Sequence, residues 1–318
     1  MHTLKLTILL ICLILQSTNS TKAQHTPTFP PADTIFVFTI NNNDTTKRVL
    51  KNRLFHIYDK QGHIREVLFE TNQNKTWQYE KRMLFGYNAL SRLQSIKYEL
   101  WDSTAKDWLK FKRRTFAYNV RHLPTEYTDE IWNNKQNTYL ALSKAKFIYN
   151  NKNQPYQAIY KNYKQGIWTD SLRQTAIYDS SGRLAKIEQS ENLKGIWRKQ
   201  MLLEYKYENN RLKEILRKQA QGGAEMEITG KTVFSYNQES ILNAKQEQVF
   251  VSLKKPFRNV AGVKSWYNPK KNQWTYSFYR IENEKSIITE QWVLCPTAEK
   301  VQVPLKDFPF PLTMNNEQ

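Results

Sequence analysis

Aromatic residues recur at a fixed spacing along most of this chain. Tyrosines followed by Asp, Asn or Glu stand at Tyr58, Tyr87, Tyr118, Tyr149, Tyr178, Tyr207, Tyr236 and Tyr267, in steps of 29, 31, 31, 29, 29, 29 and 31 residues. A period in this range marks a repeat architecture. Two residues before the anchors stand Phe85, Phe116, Phe147, Ala176, Tyr205, Phe234 and Ser265. Ten before them stand Trp77, Trp108, Tyr139, Trp168, Trp197, Met226 and Phe257. These offsets are even, and even offsets share one face of an unbroken strand. The pattern therefore predicts that the Trp, Phe and Tyr columns line one buried side. A helix is excluded because the offsets do not follow a 3.6-residue period.

Turn signals divide each repeat into two strands. A short turn follows the anchor, as in Tyr178-Asp-Ser-Ser-Gly182 and Tyr58-Asp-Lys-Gln-Gly62, where Asp opens the turn and Gly accepts positive φ. A second, longer polar turn is predicted at Asp102–Asp107 and Asn133–Thr138, with another at Gln221–Glu225. The fold class expected is all-β: tandem antiparallel hairpins of about thirty residues in a long twisted or curled meander sheet.

Tyr178-Asp-Ser-Ser-Gly-Arg-Leu184 resembles the signature of the YD-repeat family of bacterial RHS-type proteins, and Tyr58 to Ile64 is a weaker match. The resemblance implies a spiralling β strip that can curl into a shell. Its motif is structural, so it implies no activity. Most copies depart from it at the fourth residue after Tyr, where Ser91, His122, Asn153, Arg211, Ser240 and Lys271 replace Gly.

The expected organisation is a leader at residues 1–23, a lead and first strand at 24–50, seven to eight hairpin repeats at 51–275, and a capping hairpin with a Pro-containing tail at 276–318. Lys5 followed by the apolar run Leu6–Leu15 reads as a signal peptide. Cleavage is expected after Ala23, with Ser20 as the alternative, and the protein would then be periplasmic, cell-surface or extracellular. Cleavage would remove Cys12 and leave Cys295 alone, so no internal disulfide framework is expected.

The formal charge of +19, from 48 Lys and Arg against 29 Asp and Glu, suits attraction to polyanions, including an anionic membrane surface. It suits equally a soluble sheet whose edges are guarded by lysine. A basic column gives the charge a place. Five residues before the anchors stand Arg82, Arg113, Lys144, Arg173 and Lys231, broken by Leu202 and Gly262. The offset is odd, so these cations should point away from the Tyr and Phe columns. With Lys110, Lys112 and Arg114 they are the candidate polyanion-binding residues. The competing reading is that Glu66, Glu70, Glu99, Glu126, Glu130 and Glu188 on the return strands neutralise them in cross-strand pairs. The Trp column could likewise be a stacking platform or simply core.

Signals for catalysis are poor. His25, His56, His63 and His122 lie in no metal-ligand spacing, and no nucleophile elbow, P-loop or CxxC occurs. No catalytic residue, metal or cofactor is expected. The leading expectation is an exported non-enzymatic binding or scaffold protein. Its partner would be an anionic polysaccharide, another envelope component or a protein, with nucleic acid the least expected. The alternatives are an outer-membrane β-barrel and, behind it, a polysaccharide-acting enzyme. Lys81, Lys112 and Arg114 on the aromatic face and the basic column on the other count against lipid, because Lys or Arg at the bilayer midplane costs about 2–4 kcal/mol.

Overall fold

The computed structural model describes residues 34–40, 48–220, 226–236, 242–251, 257–268, 273–282 and 285–295. The expected leader, the turn at 221–225 and the tail from Pro296 lie outside the described residues. The chain forms β1 (Thr34–Ile40), β2 (Arg48–Tyr58), β3 (Ile64–Gln73), β4 (Thr76–Tyr87), β5 (Leu93–Asp102), β6 (Asp107–Tyr118), β7 (Pro124–Asn133), β8 (Thr138–Tyr149) and β9 (Pro155–Lys164). It continues as β10 (Ile167–Tyr178), β11 (Leu184–Leu193), β12 (Ile196–Glu208), β13 (Arg211–Ala220), β14 (Met226–Tyr236), β15 (Leu242–Phe250), β16 (Phe257–Asn268), β17 (Gln273–Glu282) and β18 (Lys285–Cys295).

Each strand pairs antiparallel with its neighbour in sequence, and β1 pairs with both β2 and β18. The expected long meander is therefore corrected to a closed 18-stranded barrel. An open strip would leave rows of unpaired backbone N–H and C=O groups along its two edges, and closure removes both. The insertion of β1 achieves this: Thr34 faces Phe55 on one side and Cys295 on the other.

The strands keep nearly constant length, and turn length sets the repeat step. From Tyr58 to Tyr207, a 29-residue step contains a two-residue turn, as between Gln73 and Thr76, whereas a 31-residue step contains a four-residue turn, as between Asp102 and Asp107. The two-residue turns hold Asn74 and Lys75, Gln165 and Gly166, or Lys194 and Gly195 at positive φ, which suits a twisted hairpin. From Tyr58 to Tyr178 the turns after the anchors are the longer ones, five residues from Tyr87 to Leu93, which reverses the expected order there; after Tyr207 the turn is short, two residues between Glu208 and Arg211.

The anchor turns share one construction. The Asp or Asn after Tyr accepts backbone N–H bonds with its side chain, as Asn119 does from Arg121 and Leu123 at 3.0 Å each. The residue four after Tyr has positive φ whether it is Gly62, Ser91, His122, Asn153 or Gly182. The side-chain clamp enforces the turn even where glycine is missing.

A bulge recurs in the even-numbered strands. Seven residues before the anchors, Lys51, Glu80, Phe111, Leu142, Ser171, Gln200, Thr229 and Val260 are each skipped by the ladder. Two residues then oppose one, and the alternation of faces restarts out of phase. Trp77 pairs with Asn72, and Arg82 with Leu68, so Trp77 lies on the face of Arg82. The expectation that the Trp, Phe and Tyr columns share a side is thus corrected. Tyr and Phe occupy one face, and Trp joins the basic column on the other.

The Tyr–Phe face carries the core. Val67, Phe69, Met83, Phe85 and Ile96 form one buried cluster, and Ala145, Phe147, Ala158, Ile187 and Met201 a second, with Phe116 packed against both. The anchors stitch this face together. Tyr87 donates to the Ile64 carbonyl at 3.0 Å, Tyr118 to Leu93 at 2.7 Å, Tyr149 to Pro124 at 2.6 Å and Tyr178 to Pro155 at 2.9 Å. Tyr207 and Tyr236 repeat the bond to Leu184 and Leu212 at 3.1 and 2.8 Å. A phenol at the anchor thus satisfies a carbonyl at the start of the preceding return strand, which phenylalanine would leave without that donor.

Candidate functional site

The basic column lies on the face opposite the core, and most of it is paired. Arg82 reaches Glu99 at 2.7 Å and Glu66 at 3.8 Å, one on each flanking strand. Arg113 grips Glu130 through two bonds of 2.7 and 2.9 Å. Lys144 lies 4.0 Å from Glu126 and Lys231 3.1 Å from Glu214. The column begins one repeat earlier than the sequence reading placed it, at Arg53, which pairs with Glu70. Its signal was present, five residues before Tyr58.

Each column cation also lies over an aromatic ring of the next hairpin. Arg53 covers Trp77 at 4.2 Å, Arg82 covers Trp108 at 4.5 Å, Arg113 covers Tyr139 at 4.4 Å and Lys144 covers Trp168 at 4.3 Å. Arg173 over Trp197 and Lys231 over Phe257 continue the row at 4.7 and 4.4 Å. Such contacts contribute about 0.5–1 kcal/mol each where exposed. The offset of five between cation and anchor, with the bulge between cation and ring, places them within reach. A linear polyanion on this face would compete with both the glutamates and the rings.

The other candidate residues separate. Lys110 caps Trp132 at 4.1 Å, and Lys112 lies over the ring of Phe111 at 4.7 Å on the opposite face. Arg114 sits on the core face, bound to Asp129 through 2.6 and 2.8 Å contacts and lying 4.3 Å over Tyr127. Arg113 and Arg114 are neighbours in sequence and belong to different faces.

At the anchor turns, cations bind neutral groups. Arg92 donates to the His122 carbonyl at 2.8 Å and Arg121 to the Asn153 side chain at 2.9 Å. Where the first turn residue is aspartate, its carboxyl is engaged locally. Burial works to raise the Asp179 carboxyl, but bonds from Arg183 outweigh it and hold it below the ordinary carboxylate range. His63 and Gln61 do the same for Asp59. Among the described residues, no cluster of three His, Cys, Asp or Glu side chains could hold a metal.

The opposite, hairpin-turn end is apolar on both faces, which the unbroken-strand reading missed. On the core face, Leu100 pairs with Leu109, Ile131 with Leu140, and Leu193 with Ile196, all exposed. On the other face, Trp101 meets Trp108 at 5.1 Å, Trp132 meets Tyr139 at 4.9 Å, and Tyr163 meets Trp168 at 5.0 Å. The signal for this arrangement was the charged residues eight before the anchors, Lys110, Asp170 and Lys199, which an unbroken strand would have put in the core; Lys81 and Lys112, six before, do lie on the core face.

No family model and no curated protein matches the chain. Among solved structures, a porin-like protein from Bacteroides uniformis is 9% identical over 85% of this chain and 98% of its own, with a TM-score of 0.40. A protein of unknown function from Bacteroides fragilis is 13% identical over 38% of this chain and 88% of its own, at TM-score 0.34. A DUF3836 family protein from Parabacteroides distasonis is 22% identical over 27% of this chain and 82% of its own, at TM-score 0.23. Similarity at this level carries no functional argument.

Proposed function

We propose that this protein is a closed β-barrel of the cell envelope with a structural or binding role. The observation that supports it is the ring itself, in which β1 closes β18 onto β2 and every described strand has two neighbours. Closure favours the outer-membrane barrel over the open binding strip. An even number of antiparallel strands in meander order is what such barrels use. A lipid-facing wall also needs an apolar band about 25 Å tall. Here each face is interrupted, one by Arg82–Glu99 and Arg113–Glu130, the other by Lys112 and Arg114–Asp129.

That interruption supports a second reading, a barrel standing in water as a scaffold or binding module for anionic envelope material. The formal charge of +19 is consistent with such a partner. The YD-type resemblance enters this proposal as architecture only. One experiment separates the two readings: expression with the leader, cell fractionation, and gel migration with and without heating. Recovery only from detergent-extracted outer membrane, with heat-modifiable migration, supports the spanning barrel. A monodisperse chain in detergent-free buffer supports the water-standing one. Recovery from the cytoplasm alone would overturn both.

A further inference from the structure

Three chemistries are layered at the hairpin-turn end. At the tips stand Lys75, Lys106, Lys135, Lys164 and Lys194, exposed and forming no ion pair among the described residues. Behind them, on the core face, lies the aliphatic collar of Leu100, Leu109, Ile131, Leu140, Leu193 and Ile196, extended by Ile167; Ile167 and Ile196 are 64% and 62% exposed. On the other face lie the cross-strand pairs of Trp and Tyr. At the anchor-turn end, among the described residues, exposed Leu90 and Val120 stand in separate polar turns, and exposed Ile148, Ile177 and Trp266 face Gln157, Lys186 and Thr275, so no apolar cross-strand pairs form there.

Exposed apolar pairs repeated along one end of a sheet mark an interaction surface. Tryptophan and tyrosine suit the boundary between hydrocarbon and water, because each combines an apolar body with a polar tip. Lysine at a tip can lay its stem along apolar surface and keep its ammonium among headgroups. The geometry points to a peripheral membrane-docking function: the hairpin-turn rim dips into one leaflet of a bilayer rich in anionic headgroups.

The depth of the collar supports docking over spanning. Leu100 and Leu109 lie two ladder positions from the hairpin end at Asp102 and Asp107, roughly 7 Å along a strand. An interfacial element buries about 5–10 Å, whereas a spanning wall needs about 25 Å. The charges complement the leaflet as well, since the tips carry exposed cations that form no ion pair among the described residues, and anionic lipids attract them. The inference rests on the envelope reading and gives that barrel its partner.

The test uses the leaderless chain with phosphatidylcholine vesicles made with and without phosphatidylglycerol. The readouts are cosedimentation and quenching of tryptophan emission by brominated lipid. Wild type should bind the anionic vesicles, show quenching and be released by carbonate. Combined Leu109→Ser, Ile131→Ser, Ile167→Ser and Ile196→Ser should weaken binding by roughly tenfold or more, given the apolar area removed. These positions are exposed, and far-UV circular dichroism checks the fold. Leu90→Ser with Val120→Ser, at the other end, should bind as wild type. Lys106→Gln, Lys135→Gln and Lys194→Gln together should remove the preference for phosphatidylglycerol.

Unaltered binding by the collar variant would overturn the inference, as would equal loss in the Leu90 and Val120 variant. Wild type that ignores vesicles also overturns it and leaves the water-standing barrel. Carbonate-resistant binding overturns it in favour of the spanning barrel. Quenching in wild type needs no variant, so a collar variant that misfolds does not end the test.

Discussion

Arg113 and Arg114 are adjacent on β6, and the fold predicts that removing them has different consequences. Arg114 is bound bidentately to Asp129 at 2.6 and 2.8 Å, and Ser143 lies 3.3 Å from the same carboxylate. Its side chain is 12% exposed against 32% for Arg113. Replacing Arg114 with Met leaves the Asp129 charge on the core face without its guanidinium, which costs about 3–5 kcal/mol for a buried pair. The partner change Asp129→Leu strands the guanidinium beside Tyr127 and should cost about the same. The double variant removes both charges and should return to within about 1–2 kcal/mol of wild type, because desolvation consumes most of the pair's attraction. Arg113→Met loses an ion pair whose arginine side chain is 32% exposed, about 0–1 kcal/mol, and a contact over Tyr139 of about 0.5–1 kcal/mol. Urea unfolding followed by tryptophan fluorescence measures all four. Equal losses for Arg113→Met and Arg114→Met, or additive losses in the double variant, would refute this assignment of faces.

Tyr149→Phe keeps the ring but removes the donor to the Pro124 carbonyl, and should cost about 1–2 kcal/mol in the same assay. Gly182 has φ of +77°, so Gly182→Ala should destabilise by about 1 kcal/mol, while His122→Gly at φ +64° should stabilise by a few tenths to about 1 kcal/mol. The carboxyls of Asp59 and Asp179 titrate below their ordinary value in the folded state. Their contribution is therefore present above the unfolded pKa and lost as pH falls through the folded one. Asp179→Asn should flatten stability between about pH 5 and pH 2 while keeping the turn, because Asn119 and Asn150 make the same clamp. A variant whose acid unfolding tracks wild type would disprove that assignment.

The repeat was legible because its signals are local. A tyrosine every 29 or 31 residues, an Asx residue after it and polar turns between strands specify hairpins and their sequential pairing, and each of these acts within one unit. The outward direction of Arg82, Arg113 and Lys144 also followed from short-range parity, since no bulge lies between them and their anchors. Parity failed for Trp77, Trp108 and Trp168 because one unpaired residue at each bulge shifts the phase. Lys110, Asp170 and Lys199, eight residues before their anchors on apparently inward positions, were the trace of that shift.

What the sequence determined by itself was thus the antiparallel hairpin, its register beside the tyrosine and the positions of its turns. Tertiary structure decided three things: the ring, the neutralisation of the basic column and the two-sided apolar rim. The ring depends on β1 meeting β18 across the whole chain, a contact set by accumulated twist and curvature over eighteen strands rather than by any local pattern. Neutralisation depends on which glutamate a pairing brings opposite each cation, as Glu66 and Glu99 are brought to Arg82. The rim depends on the bulge at Phe111, which puts Leu109 on the core face and Trp108 on the face of the basic column, the reverse of what an unbroken strand would do.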